Sequence, residues 1–405
     1  MIYKNTCRNG LRIILEHVPD VRSVTIGVWI KTGSRFDPED QSGISHFLEH
    51  MLFKGTKSRN ARDIAEAFDS IGGQVNAFTS KEYTCFYAKV MDTHQIYAVE
   101  ILADMFFNSL FEEEEIEREK KVVLEEINMY EDTPDDIVHD LLAQSSYSAH
   151  PLANPILGSR QHVQSFTSDE LRTYMKDHYT PNNIVISAAG HINERLEDEL
   201  ENYFGQFNAS TNVLNARAPV FTAGEVIKKK NIEQAHLCYG FSGMAVTDDD
   251  LYSLILMNNV FGGSMSSRLF QEIREKHGLA YSVFSYHSSF LDHGLLTIYA
   301  GTGVQQLSLL KDSINQTIDQ FVEKGITDKE LLYSKEQLKA NLLFSHESTN
   351  SRMSRNGKNE LLLNTDRSIE DMLNEIEAVT NENVQSVIDR LFKHKPSMAL
   401  VTSLE

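Results

Sequence analysis

The stretch Gly43-Ile44-Ser45-His46-Phe47-Leu48-Glu49-His50-Met51-Leu52-Phe53-Lys54-Gly55-Thr56 decides how this chain is read. On a helix, residues four apart stand one turn above each other. His46 and His50 then point the same way, and Glu49 lies on the adjoining edge. Two imidazoles at that spacing suit one zinc ion, and a carboxylate beside them suits proton transfer from water. The order is H-x-x-E-H, the reverse of H-E-x-x-H. Ser42-Gly43 offers a helix start and Gly55 an end, with Lys54 placed for the negative end of the dipole. Ile44, Phe47, Leu48, Met51 and Leu52 form the apolar face. A core helix with histidines satisfied by hydrogen bonds alone is the plainer alternative. Three polar groups in so apolar a segment need partners, however, and a metal gives one to both imidazoles.

A chain of 405 residues suits two domains, and 41% hydrophobic with 24% charged residues is a soluble globular composition. Met1–Gly10 has no apolar targeting core, and no apolar run approaches a membrane span, so no membrane attachment is expected. Cys7, Cys85 and Cys238 are odd in number and far apart, which makes neither a disulfide framework nor a C-x-x-C site. A reducing, cytoplasmic setting is expected. The net charge of −20 counts against nucleic-acid binding and favours cationic peptides. Glu112–Glu115 reads as a solvated helix start.

The chain also echoes itself. Val24–Gly33 has a counterpart in His236–Gly243, and Phe53-Lys54-Gly55 in Phe261-Gly262-Gly263. Gly73–Ser80 is echoed by Gly278–Ser285, and Phe86-Tyr87-Ala88 by Ile298-Tyr299-Ala300. All four lie in the same order, offset by about 205–212 residues, which indicates a duplicated domain. Leu254, Met257 and Asn258 stand where the first copy has His46, Glu49 and His50, so the second copy has no equivalent metal site. Residues 1–208 are expected as the metal-binding half and 225–405 as its homologous, metal-free counterpart. The polar, breaker-rich 209–224 is expected as the linker. Cys85–Val90 and Asn183–Ala189 read as strands; Glu112–Glu131, Ser168–His178 and Asp328–Phe344 read as helices. The order of elements points to an α+β fold, each half packing helices on a mostly antiparallel sheet.

A catalytic zinc usually has three protein ligands. Glu119 and Glu126 are two helical turns apart on the stretch Glu117–Ile127, sharing a face with Val122 and Val123 between them. An ordinary charged surface helix fits the same spacing. At this point the chain resembles, over nearly its whole length, the inverzincin metallopeptidases related to insulin-degrading enzyme, pitrilysin and the mitochondrial processing peptidase. It is most similar to their short bacterial two-half branch. The resemblance implies that His46, His50 and Glu126 bind one zinc ion, that Glu49 is the general base, and that Glu119 is an auxiliary acid without a direct metal bond. It also implies that Arg274 and Tyr281, in Gly262–Ser282, touch the substrate and its developing oxyanion.

The alternating stretch Gly73–Ser80 matches the family's open sheet edge, which implies that Asn76, Ala77 and Phe78 take a peptide as an added strand. Asp136 and Asp140, one helical turn apart, match positions that receive a basic side chain in the mitochondrial processing peptidase. Together these imply a zinc endopeptidase acting on unfolded, preferably basic, peptides in a chamber closed by a homodimer. A non-catalytic subunit of the same fold, a different metal hydrolase and a purely structural protein are the rivals. The first predicts lost ligands, and the other two leave the duplicated half or the H-x-x-E-H stretch unaccounted for.

Overall fold

The structure is a computed structural model that describes residues 2–206, 216–365 and 367–403. It divides into two compact units. The first comprises Met1–Asn128, Asn154–Ala216 and Phe344–Asp366; the second comprises Met129–Ala153, Arg217–Leu343 and Arg367–Glu405.

The sheet of the first unit is built from β1 (Ile2–Thr6), β2 (Arg12–His17), β3 (Ser23–Ile30), β4 (Gln74–Thr79), β5 (Thr84–Met91) and β6 (Ile184–Gly190). Its order is β1-β2-β6-β3-β5-β4, antiparallel except for the parallel pair β2 and β6. The run Ile184–Gly190 is buried throughout because it lies mid-sheet with both faces covered. Gln74–Thr79 alternates in exposure because only its Val75–Ala77–Thr79 face is covered, and it forms the edge of the sheet. One face packs on α1 (Ile44–Met51), α2 (Ala61–Asp69), α3 (Gln95–Asn108) and α4 (Glu113–Glu131) through Phe47, Leu48, Ile64, Ile101 and Val123. The other face is covered by the helix Thr349–Leu363, whose Met353 and Leu361 join Ile14, Trp29, Cys85 and Val185. Glu16, buried on that face, accepts from Arg352 at 2.5 Å and from Asn356 at 2.7 Å.

In the second unit, α5 (Pro134–Tyr147) precedes β7 (Glu225–Lys229), β8 (Gln234–Gly243), β9 (Ser282–Ser289), β10 (Gly294–Gly303) and β11 (Ser397–Thr402). The order is β7-β11-β8-β10-β9, with β7 and β11 parallel and the rest antiparallel. Ile137, Val138, Leu141 and Leu142 of α5 pack on Cys238, Tyr299, Ala399 and Val401. This sheet repeats β2-β6-β3-β5-β4 strand for strand, including the parallel pair, so the expected α+β duplication stands. The repeat also corrects one alignment. Asn76 faces Tyr87 across its ladder, and Phe284 faces Tyr299 across the equivalent one. Phe284, rather than Tyr281, is therefore the counterpart of Asn76. The glycines used to align the copies play different parts: Gly278, at φ +60°, ends a helical segment before β9, whereas Gly73 leads directly into β4.

Continuous halves of 1–208 and 225–405 are the sequence expectation; the units instead exchange two segments, 129–153 and 344–366. Of the expected linker 209–224, residues 209–215 lie outside the described residues, and 216–224 form neither helix nor strand. The three cysteines are free and buried. Among the described residues, no helix is long and apolar enough to cross a membrane.

Candidate metal centre

The connection from β3 into α1 is held by one buried carboxylate. Asp37 accepts the Gly43 N–H at 2.8 Å and the Ser45 hydroxyl at 2.6 Å, which caps the positive end of α1. Ser45 also accepts the Gly33 N–H at 3.1 Å and lies 2.7 Å from the Tyr174 hydroxyl. Burial pushes the Asp37 carboxyl up to about 6, against the opposing pull of the Ser45 and Gly43 hydrogen bonds. Gly43 has φ +96°, and a Cβ there would stand 2.7 Å from the Leu157 carbonyl and 2.8 Å from Gly158 Cα. Only glycine fits that crossing. The helix ends at Met51, a turn earlier than Gly55.

α1 buries Ile44, Phe47, Leu48 and Met51 and carries His46, Glu49 and His50 along one flank. α4 buries the stripe Ile116, Glu119, Val123 and Ile127, and the half-buried Glu126 adjoins it. Val123 is thus core, while Val122 is exposed. Glu126 Oε2 lies 3.8 Å from His46 Nε2 and 3.7 Å from His50 Nε2. The three ligand atoms all fall within 4.8 Å of one another. A tetrahedral zinc with bonds of 2.0–2.1 Å places its ligand atoms about 3.4 Å apart. His50 donates its Nδ1–H to Glu119 at 2.7 Å, which leaves Nε2 facing Glu126. That is how metal-ligating histidines are commonly oriented. His46 Nδ1 is buried without a hydrogen-bond partner, and its Nε2 meets the carboxylate too far away for a hydrogen bond. A cation between His46 Nε2, His50 Nε2 and Glu126 Oε2 would give each of these three atoms a partner. The residues present therefore fit a zinc ion.

The electrostatics treat the two imidazoles differently. Burial, with the neighbouring His50, pushes the His46 imidazole down to about 3, keeping it neutral. For His50, burial opposes the charge, but the Glu119 hydrogen bond and the surrounding carboxylates outweigh it and raise its value. Burial works against the Glu119 charge as well, yet the hydrogen bonds from His50 and Lys54 hold it below the usual range. Burial raises Glu49, whose Oε2 accepts the Thr79 hydroxyl at 2.5 Å. Thr79 closes β4, so the metal-helix carboxylate and the sheet edge are tied directly.

His46, Glu49, His50, Glu119 and Glu126 thus come together within the first unit. Asn76, Ala77 and Phe78 lie on the edge strand β4 of the same unit, where the Ala77 N–H is taken up by Asn76 Oδ1 at 2.8 Å. Arg274 and Tyr281 lie in the second unit. The Arg274 guanidinium stacks 4.5 Å over the Tyr281 ring and 4.8 Å over Phe270, and Tyr281 is 80% exposed. Both line a cavity of about 400 Å³ with Gly262, Met265 and Phe284. Asp136, exposed, and Asp140, half-buried, also lie in the second unit, on α5. Sequence reasoning missed two partners of the centre. Lys54 pairs with Glu119 at 2.6 Å, and Thr79 with Glu49. Lys54 sits in the H-x-x-E-H stretch itself, where its position marks it only for the end of its own helix.

Comparison with known proteins leads to the same place. Residues 12–160 match the family model described as insulinase (peptidase family M16), and residues 165–338 match that of the peptidase M16 inactive domain. The chain is 55% identical to the uncharacterized zinc protease YmxG of Bacillus subtilis, across 99% of this chain and 98% of that one. It is 40% identical to an uncharacterized zinc protease of Streptomyces coelicolor, across 100% of this chain and 90% of that one. A protease from Helicobacter pylori shares the fold at a TM-score of 0.93 with 21% identity, covering 99% of each chain. A structure from Pseudomonas fluorescens, titled as a peptidase M16 inactive domain, does so at 0.93 with 18% identity, covering 100% of this chain and 98% of that one. With an H-x-x-E-H helix in one copy of a duplicated fold and none in the other, the chain belongs to the insulinase, or M16, family of peptidases.

Proposed function

We propose that this chain is a zinc-dependent endopeptidase of unfolded peptides. The observation that carries the reading is the pairing of His50 with Glu119, which turns the remaining nitrogen of His50 toward Glu126 and His46. The names of the relatives support zinc. His46, His50 and Glu126 would hold one ion per chain, supplying Lewis acidity toward a peptide carbonyl and a lowered pKa for water. Glu49 is the general base: Thr79 holds its Oε2, and its Oε1 takes the proton of the attacking water and passes it to the leaving amine. Burial raises the Glu49 carboxyl toward the range where that exchange is efficient.

The substrate lies along β4, pairing its backbone with Asn76, Ala77 and Phe78, a mode tolerant of sequence. Tyr281 offers an exposed hydroxyl to the developing oxyanion, and Arg274 a guanidinium to a substrate carbonyl. Asp136 and Asp140 favour a basic residue in the peptide, in keeping with a net charge of −20. Two copies of the chain enclose the substrate as a homodimer in the cytoplasm, where the three free thiols stay reduced.

The test is cleavage of a quenched basic peptide by the wild type and by Glu49→Gln at equal zinc content. Cleavage by the wild type alone is expected. Zinc in both with cleavage by neither favours a non-catalytic subunit, and zinc in neither removes the reading.

A further inference from the structure

The first unit carries an aromatic relay that the chemistry above does not use. Trp29, the one tryptophan of the chain, is 2% exposed in β3, on the sheet face covered by the helix Thr349–Leu363. Its indole N–H donates to Met353 Sδ at 3.2 Å. Gly357, one turn further on, lies flat on the same ring: a Cβ there would stand 2.4 Å from Trp29 Nε1. The other rim of the ring meets the edge-strand region. Trp29 packs edge-on to Phe78 with centroids 5.6 Å apart, and on Tyr83, in the turn between β4 and β5, at 5.5 Å. Phe78 in turn meets Tyr83 at 6.2 Å and Tyr87 at 6.3 Å. Lys358 Nζ stands 5.5 Å over the Tyr83 ring.

This packing has a directional consequence. β4 pairs with β5 on one side only, so its backbone is held by half the usual ladder. Along the strand, Val75, Ala77 and Thr79 face α1, while Phe78 faces the opposite layer. The α1 side is fixed by Thr79 on Glu49. On the other side Phe78, 37% exposed, rests its ring against Trp29. A ring that moved away from Phe78 would release the strand on that side without touching His46, His50 or Glu126.

We propose that Trp29, held by Met353, is a positioning residue for the peptide-binding edge: it sets β4 for an incoming strand and senses when that strand arrives. The role rests on the peptidase reading for what binds, but its own observation is the Met353–Trp29–Phe78 relay. Because the relay ends on Phe78, while Thr79 keeps its own anchor on Glu49 and the metal ligands lie on other elements, disturbing it changes KM far more than kcat and leaves zinc in place. Because Trp29 is the one indole, its emission reports directly on Phe78 and Tyr83.

The experiment has two arms on the full chain. In the first, Met353→Ala, Met353→Leu and Trp29→Phe are compared with the wild type on the quenched basic peptide. Met353→Ala is expected to raise KM by about tenfold with kcat within about twofold and zinc unchanged. Met353→Leu, which keeps the volume, stays near the wild type. Trp29→Phe, which keeps an aromatic ring, lies between them and serves if Met353→Ala does not fold. In the second arm, the uncleaved peptide is titrated into Glu49→Gln and Trp29 emission is followed beside the anisotropy of a labelled peptide. A saturable emission change that tracks anisotropy is expected. Emission that stays flat while anisotropy saturates, or loss of kcat with KM unchanged, overturns the proposal. A wild type that binds the peptide with an emission change and never cleaves it sinks the peptidase reading and leaves the relay standing.

Discussion

His50 donates to one oxygen of Glu119 across 2.7 Å, and Lys54 donates to the other across 2.6 Å. Glu119 is 3% exposed, so this buried carboxylate has a donor at each oxygen and orients an imidazole. Removing it should be felt at the metal. Glu119→Ala is expected to weaken zinc binding by about a hundredfold and Glu119→Gln by about tenfold, since the amide keeps a neutral acceptor. Competition with a chromogenic chelator reads both values. Equal affinity in Glu119→Ala and the wild type would show that the pair does not orient the ligand.

Asp37 gives the fold a pH signature. Its carboxyl stands at about 6 in the folded chain against an ordinary 3.8, so between those values the native state keeps a proton that the unfolded chain has lost. Its contribution to stability is therefore full below the ordinary value, falls as pH rises through about 6, and is flat above. Denaturant midpoints from pH 4 to 7, wild type minus Asp37→Asn, are expected to slope downward across that window. A level difference curve would mean that Asp37 titrates alike in both states.

Gly43→Ala tests the crossing that launches α1. The added Cβ meets Leu157 O and Gly158 Cα in a backbone conformation that side chains rarely adopt. The expected cost is about 2–4 kcal/mol in urea unfolding, with weaker zinc binding because α1 must shift. A variant as stable and as tight as the wild type would contradict the close approach.

Tyr281→Phe separates transition-state from ground-state contact. A hydroxyl that meets only the developing oxyanion should lower kcat by about a hundredfold while KM and zinc content hold. A rise in KM alone would reassign Tyr281 to substrate binding.

The metal helix is legible in sequence because helical geometry turns the spacing of His46, Glu49 and His50 directly into a shared face. That β4 is a strand with one covered face is legible for a similar reason, in the alternation from Gln74 to Thr79, whereas its place at the sheet edge is set by strand pairing. Other features depend on partners that no local pattern encodes. Lys54 reads as a cation for the end of its own helix, and only packing brings it to Glu119. Met353, Gly357 and Leu361 recur at every fourth position, which says that a helix face is covered and leaves open which sheet covers it. Hence the exchange of 344–366 into the first unit is invisible in sequence. So is the membership of Asp136 and Asp140, whose helix follows α4 almost at once yet packs on β8 and β11.

That exchange bears on how the chain is born. A ribosome releases residues 2–206 long before 344–366, yet Glu16 and the Trp29 indole N–H take hydrogen-bond partners from that late helix. While the chain is nascent, the layer behind the H-x-x-E-H unit stays open, with a carboxylate and an indole waiting for neighbours not yet made.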